Sequence, residues 1–201
     1  MADQTAEIQG ILDTAIAAGA EAVIPPGTWE VSALTLRGTM GLIVRGHGPH
    51  RSHLLPNTDG VAVLNATDAA ACILRDFSIG HHTQAALPHT ALLLAATANP
   101  TQNGIDRIRL ENLFVTGRYA VSALYAYGAA SWTGSASRFW NFHQAHPVAA
   151  VFTSRDRYGI LGETTVRPVA DVTFTGCEFH SGHNESPVVS GQPALVLASS
   201  P

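Results

Sequence analysis

The sequence predicts an all-β protein in which short parallel strands stack as the layers of one coil, a β-solenoid, behind a single N-terminal helix. Three observations lead to this prediction. Only one segment has the apolar spacing of a helix, an eight-residue pattern of strand, turn and strand recurs along the chain, and no hairpin turn joins adjacent alternating strands. The length of 201 residues fits one domain.

The helix is predicted over residues 3–18. Its apolar residues recur at spacings of three and four, which places them on one face: Ile8, Ile11, Leu12, Ala15 and Ile16. Asp3 or Thr5 can cap its beginning, and Gly19 is expected to end it. Strand-like alternation follows a Pro-Pro-Gly turn at 25–27.

The recurring pattern has apolar residues at its first, third, sixth and eighth positions and a turn residue at its fifth. Three copies are present, at 72–79, 108–115 and 172–179. Asp76, Asn112 and Gly176 hold the turn position, and each of these residue types tolerates the left-handed backbone of a tight bend. The last two copies start 64 residues apart, nearly twice the 36 residues between the first two. A less regular copy is therefore expected between them, with 137–142 as the candidate.

A bent strand cannot bury its apolar face alone, but stacked copies can, at about 4.8 Å per layer. We therefore expect Leu74, Leu110 and Phe174 to lie in one interior column. A further strand is expected after each copy, at 91–94, 121–125, 149–152 and 194–197. A β-sandwich is the alternative, because it also has short strands at regular spacing, but hairpin turns should then dominate.

Composition and charge exclude several classes of function. Only 13% of the residues are charged and the net charge is -4, so the chain is not basic enough to bind nucleic acid. All 11 positively charged residues are Arg, which excludes a catalytic lysine or a P-loop. No apolar run is long enough for a membrane helix, and the N-terminus lacks the features of a secretory signal.

The two cysteines, Cys72 and Cys177, both occupy inward positions of the pattern. In a solenoid they would lie about three layers apart, or about 14 Å. A disulfide needs Cα atoms within about 7 Å. The prediction is two free, buried thiols.

Three stretches near the N-terminus carry a family resemblance: Asp3-x-Thr5-x-x-Ile8, Ile24-Pro25-Pro26-Gly27-Thr28-Trp29 and Leu42-Ile43-Val44-Arg45-Gly46-x-Gly48. With the later copies, nearly the whole chain resembles the pectate-lyase-like superfamily of right-handed parallel β-helices. That superfamily includes tail-spike and fibre proteins of phages and phage-like particles. The resemblance implies one β-helix domain over 1–201, in which the helix at 3–18 plugs the open end and the rungs occupy 22–201.

The resemblance also implies a function. The chain would be a spike or fibre subunit that binds host cell-surface polysaccharide, displayed on a virion or phage-like particle as a homotrimer or with other particle proteins. A lyase or hydrolase acting on bacterial-surface or plant-type polysaccharide is the second hypothesis, and secretion is then the alternative location. A structural spacer in a larger assembly is the third. No cofactor, nucleic acid or membrane insertion is expected.

Long loops interrupt the pattern, and insertions in a solenoid tend to collect on one binding face. Sugars are bound by aromatic faces together with polar side chains. The candidate glycan-binding residues, from the loops at 128–135, 154–170 and 181–187 and the strand before the last of them, are Trp132, Arg155, Asp156, Arg157, Tyr158, His180 and His183. Trp140 stays open between an interior and a surface position.

A glycosidase needs two carboxyl groups about 5–9.5 Å apart. If the protein is an enzyme, the pool of acids is Asp156, Glu163, Glu178 and Glu185. The simpler interpretations are a surface ion pair for Asp156 and a solvated strand residue for Glu178. Pairs of histidines three residues apart lie on strands and loops, where they point to opposite faces, so no metal site is predicted.

Overall fold

The computed structural model describes residues 2–97, 105–143, 148–167, 169–181 and 195–198. Within these ranges the protein is mostly β, with one helix at the N-terminus and three parallel sheets of six strands each, here called sheets A, B and C. The described residues contain no helix that is both long and apolar enough to cross a membrane. The all-β class and the N-terminal helix predicted from the sequence are confirmed.

The chain passes through sheets A, B and C in that order six times, and each pass adds one strand to each sheet. The helix α1 (Thr5–Ala18) comes first. The first three passes are β1 (Ala22–Val23), β2 (Gly27–Val31) and β3 (Leu34–Thr35); β4 (Ile43–Arg45), β5 (Ser52–Pro56) and β6 (Ala62–Asn65); and β7 (Ile73–Arg75), β8 (Ser78–Ile79) and β9 (Thr90–Ala95).

The later passes follow a short strand β10 (Ile105–Asp106), which pairs with β14 outside the three main sheets. They comprise β11 (Arg109–Glu111), β12 (Phe114–Gly117) and β13 (Ser122–Tyr127); then, after β14 (Ala129–Ala130), β15 (Thr133–Ser135), β16 (Arg138–Asn141) and β17 (Val148–Thr153); and finally β18 (Thr173–Thr175), β19 (Glu178–Ser181) and β20 (Leu195–Ala198).

The strand register confirms the predicted interior column. Leu110 pairs with Leu74 on one side and with Gly134 on the other, and Gly134 pairs with Phe174. Gly134 makes room for its neighbour, because a Cβ at this position would lie 2.2 Å from Cδ1 of Phe174. An irregular copy exists as well, but the pairing of Phe139 with Val115 and of Leu110 with Gly134 places it at 132–139, so the predicted bounds of 137–142 are wrong.

The turns between sheets A and B have the predicted left-handed backbone. Asp76, Asn112 and Gly176 have φ values of 60°, 49° and 61°, and Ala136 of the irregular copy has 47°. The turn residues also bond to each other, because Nδ2 of Asn112 donates to Oδ1 of Asp76 at 2.7 Å. One turn residue therefore supports the next along the stack.

Helix α1 lies against β1, β2 and β3, the first strand of each sheet. Ile8, Leu12 and Ala15 are buried in the main core, as predicted, and Gly19 ends the helix with a φ of 60°. Ile16 is 38% exposed, so its predicted place on the inner face is wrong. The helix covers the first pass with a narrower stripe than the sequence indicated.

The beginning of α1 also differs from the prediction. The helix begins at Thr5 rather than at residue 3, and its N-cap is Gln4, not Asp3 or Thr5. Asp3 instead accepts hydrogen bonds from the hydroxyl of Ser32 and from the backbone and hydroxyl of Thr5. These bonds, led by the one from Ser32, lower the pKa of Asp3 to about 2. The carboxylate ties the helix to the segment after β2.

Both cysteines are free, as predicted. Cys72 is buried, and burial raises the pKa of its thiol. Cys177 is only half-buried, so the prediction of two buried thiols is wrong for this residue. The reason is its place beside β19, the edge strand of sheet B, where no further strand pairs within the described part of the chain.

A second apolar cluster lies on the other face of sheet C. Leu93, Tyr125, Tyr127 and Val151 are fully buried there, packed with Ile160 and Leu161 of the segment that follows β17. This segment, residues 154–167, therefore covers sheet C from outside. The outer face of sheet C is therefore a packing surface.

Candidate functional site

A groove of about 370 Å³ lies on the face of sheet B that points away from the main core. Its lining consists mainly of rings. Three are aromatic, those of Phe114, Trp140 and Phe142, and four are imidazoles, those of His50, His53, His81 and His82. Among the described residues, no Asp or Glu lines it. A concave, ring-lined site with few polar groups is the usual form of a ligand-binding site.

Strand alternation builds the floor of the groove. His53 pairs with Ser78, and Ser78 with Phe114, so these three side chains stand in one row across β5, β8 and β12. Two residues further along, Trp140 pairs with Thr116 on one side and His180 on the other. Residues directly opposite in neighbouring strands share a face, so both rows point outward.

The aromatic rings contact each other edge to face. The Phe114 and Trp140 centroids are 5.3 Å apart at 89°, and those of Trp140 and Phe142 are 6.1 Å apart at 88°. His180 extends the series, with its ring 5.7 Å from that of Trp140. Such contacts fix the ring planes. The indole Nε1 of Trp140 is buried and has no hydrogen-bond partner among the described residues.

His81 and His82 form one wall of the groove, and a buried glutamine holds their segment, residues 80–89, in place. Nε2 of Gln84 donates to the carbonyl of Arg118 at 2.8 Å, and its Oε1 accepts from the backbone of His81 at 3.0 Å. Beneath it lies Tyr119, whose hydroxyl donates to the carbonyl of Thr116 at 3.1 Å and whose pKa is raised by burial. His81 and His82 therefore stand on an anchored segment.

The histidines of the groove are close to each other. The ring of His81 is 4.2 Å from that of His82 and 6.4 Å from that of His53. Nδ1 of His53 is hydrogen-bonded to the hydroxyl of Ser78, and Nδ1 of His81 accepts from the backbone of Thr83. Burial, and then the charge of the neighbouring ring, lowers the pKa of both His53 and His81. The surroundings of His53 and His81 therefore favour the uncharged form of these two rings.

A second cavity of about 270 Å³ adjoins the groove, because His81 lines both. Glu30, Asn57 and Gln84 contribute polar side chains to it. A larger hollow of about 520 Å³ beside α1 is open and shallow, and its lining is mostly small and apolar. Of these three hollows, the sheet B groove is the one that carries aromatic side chains as well as imidazoles.

The structure corrects the prediction for Trp132. Its side chain is 1% exposed and packs against Phe152 in the main core, with ring centroids 6.2 Å apart. A ring in this position cannot lie on a sugar, so Trp132 leaves the candidate set. Trp140, which the sequence left open, lies half-exposed in the groove.

The predicted cluster at 155–158 lies on the segment that covers sheet C, away from the groove. Asp156 is bonded within this segment: it accepts from the backbone of Ile160, Leu161 and Glu163, and from the hydroxyl of Tyr125 at 3.0 Å. These bonds occupy both carboxylate oxygens, so Asp156 stabilises the conformation of its loop. Arg155, Arg157 and Tyr158 are exposed beside it.

The predicted acids lie in two places in the described structure. Asp156 and Glu163 share the segment that covers sheet C, where the Glu163 backbone donates to Oδ2 of Asp156 at 3.3 Å, and Glu178 lies on β19. Glu178 is 54% exposed and forms an ion pair with Arg138 at 3.3 Å, which agrees with a solvated strand residue. Glu163 is half-buried on the sheet C segment. Glu185 and His183 lie outside the described residues. In the ranges described, no group of three or more His, Cys, Asp or Glu residues is placed to hold a metal ion.

Of the predicted glycan-binding residues that the structure describes, His180 alone belongs with the groove. It contacts Trp140 and Phe142, at 5.7 Å and 6.2 Å between ring centroids. Sequence reasoning missed Phe114, Phe142 and the histidines at 50, 53, 81 and 82. One signal was available, because Phe114 is an aromatic residue at an outward position of the repeated pattern.

Comparison of the chain with models of protein families, with curated proteins and with solved structures finds no match.

Proposed function

We propose that the chain is a right-handed parallel β-helix and that its sheet B groove binds polysaccharide. The six-fold passage through three parallel sheets supports the β-helix, and parallel crossovers are right-handed in about 98% of cases. The observation that carries the binding function is a band of rings on four of five successive strands of sheet B, in which β8 contributes Ser78 and the other strands contribute His53, Phe114, Trp140 and His180.

The chemistry of the band fits a sugar chain. A pyranose ring presents a C–H face, which packs on an aromatic face, and an edge of hydroxyls, which need donors and acceptors. Trp140 supplies a large ring together with an unpaired buried N–H, and a buried indole N–H usually has a partner. Imidazoles and the hydroxyl of Thr28 supply the polar contacts. Because the rows run across the strands, a linear chain can follow the groove from pass to pass.

Replacing Trp140 with alanine tests the proposal. We expect Trp140→Ala to weaken binding of polysaccharide by about tenfold or more, because it removes the largest ring and about 1.4 kcal/mol of contact energy. The measurement is a glycan array followed by calorimetric titration of the best polymer.

Tyr158→Ala is the matched control, since Tyr158 is an exposed ring on the segment that covers sheet C. It should bind like the unaltered protein. Equal binding by Trp140→Ala and the unaltered protein would remove the groove as the binding site, and an array without any bound glycan would remove the function.

We further propose that the chain works as a trimeric spike or fibre subunit that attaches to host cell-surface polysaccharide. Single sugar sites are weak, and three sites on one particle bind together far more strongly than one. Phe174 and Phe179 of the last pass are only partly buried within the described residues, which supports packing of this end against another chain. Sedimentation equilibrium should give the mass of three 21.1 kDa chains. A monomer at micromolar concentration would contradict the trimer.

A further inference from the structure

The three imidazoles of His53, His81 and His82 form a compact cluster at one end of the ring band. Consecutive ring centroids are 4.2 Å and 6.4 Å apart, and the cluster faces the groove between β5 and the wall at 80–89. The wall is anchored by Gln84, so the rings cannot move apart freely. Positive charge on these rings would accumulate in a small volume.

The charged groups around this cluster do not neutralise the positive charge that the protonated rings would carry. On the far strands of the groove, Arg138 and Glu178 neutralise each other in an ion pair. His180 and His50 add two more imidazoles, on β19 and on the segment before β5. Glu30 on β2 lines the adjoining cavity together with His81 and is the acidic group on that side. Within the described lining of the groove itself, every titratable group is a histidine.

We propose that the cluster of His53, His81 and His82 is a subsite for a negatively charged oxygen group on the bound sugar chain, a carboxylate, sulfate or phosphate, and that mildly acidic conditions switch it on. This inference rests on the proposed polysaccharide-binding function and names the class of sugar that the groove selects. An anionic group between protonated rings replaces ring-to-ring repulsion with charge-assisted hydrogen bonds.

Protonation of His81 exchanges one hydrogen bond for another. When Nδ1 gains a proton, the Thr83 hydroxyl at 2.8 Å becomes its acceptor, and the Thr83 backbone N–H loses Nδ1 as its acceptor. Without a ligand, burial and the neighbouring rings hold the pKa of His53 and His81 below the usual value, so the rings are neutral above that range. A bound anion favours the charged form and raises each pKa. Binding therefore takes up protons and strengthens as pH falls, until the pH lies below the lowered pKa values of the free rings.

Histidine-ring NMR with inorganic sulfate measures the subsite directly. We expect sulfate to shift the ring signals of His53, His81 and His82 saturably, and to bind about tenfold more tightly at pH 5.5 than at pH 7.5 at constant ionic strength. His81→Gln should lose most of this gain. His47→Gln is the control, because His47 is exposed and does not line the groove, and it should behave like the unaltered protein.

Matched polymers identify the charged group. Dextran sulfate, carboxymethyl-dextran and dextran phosphate share one backbone, and neutral dextran is their reference. Stronger binding of a charged polymer at the lower pH, lost in His81→Gln, supports the subsite and names its anion. Equal sulfate affinity at both pH values, or sulfate binding unaltered by His81→Gln, overturns it.

Failure of this inference differs from failure of the proposed function. If neutral polysaccharides bind with the same affinity at both pH values and Trp140→Ala removes that binding, the groove stands and the anionic subsite is wrong. If sulfate titrates the histidines as expected but Trp140→Ala leaves polysaccharide binding unchanged, the subsite stands and the proposed groove function is wrong.

Discussion

Gly80→Ala is expected to lower the free energy of unfolding by about 3–5 kcal/mol, because two costs coincide at this residue. Gly80 has a φ of 80°, a backbone conformation that side chains disfavour. A Cβ there would also lie 2.0 Å from the hydroxyl oxygen of Tyr119 and 2.2 Å from the carbonyl of Thr116. The Thr116 oxygen is backbone in β12, so it cannot yield without disturbing the sheet. Urea unfolding followed by tryptophan fluorescence measures the loss.

Gly10→Ala provides the matched control for Gly80→Ala. Gly10 lies within α1, and a Cβ there would meet nothing within 4 Å. Alanine is the better helix former, so this substitution should stabilise the protein by about 0.5–1 kcal/mol. If Gly80→Ala instead changed stability by less than about 0.5 kcal/mol, the segment at 80–89 would not pack on Tyr119 as described. The wall of the groove would then lose its anchor.

The fold was predictable because its signal repeats. Each copy of the eight-residue pattern shows inward residues at alternate positions, and Leu74 and Leu110 are both leucines, so their alignment follows from the sequence. The turn residues Asp76 and Asn112 confirm the same register. In a solenoid, each copy of the pattern along the chain forms one layer, so a repeat in the sequence predicts which residues stack on each other.

Trp132 was misplaced because its copy of the pattern is degraded. The complete irregular copy spans 132–139, and Trp132 holds the first inward position, since the backbone of Thr133 donates to the carbonyl of Ile108. Glycine at 134 and serine at 137 replace apolar residues, which hid the copy. The glycine is explained only by Phe174, forty residues later, whose ring takes the space. A small residue in one layer that makes room for a large residue in the next cannot be recognised from the apolar spacing of either segment alone.

The groove could not be derived for a related reason. Thr116, Trp140 and His180 are neighbours in sheet B, although 24 residues separate the first two in sequence and 40 separate the last two. Their alignment can be predicted only if the lengths of the intervening loops are known. Loop length does not follow from the repeat. The polar content of the long loop at 154–167 predicted a glycan-binding site. In the structure, Asp156 instead accepts hydrogen bonds from the backbone of this loop and holds it over sheet C. Polar composition indicates a surface segment and does not distinguish a cover from a binding site.

Phe139→Ala is expected to destabilise the protein by about 3–5 kcal/mol while leaving the groove chemistry intact. Phe139 is fully buried, stacked on Phe179 with centroids 5.5 Å apart and planes at 15°, and it borders Phe174. Removing its ring leaves a cavity between the fifth and sixth passes that neither neighbour can fill from its own strand. Chemical denaturation should show a lower midpoint with an unchanged slope.

Trp140, the next residue along β16, faces outward into the groove. Comparing its alanine variant with Phe139→Ala distinguishes an effect on stability from an effect on binding. Trp140→Ala should cost only about 1–2 kcal/mol of stability, since the ring is half-buried, but should weaken polysaccharide binding by about tenfold or more. Phe139→Ala, measured below its unfolding transition, should still bind. If both variants lost stability equally and Phe139→Ala alone lost binding, the two faces of β16 would be assigned the wrong way round. The two variants therefore test whether the inward residue of β16, Phe139, serves stability and the outward residue, Trp140, serves binding.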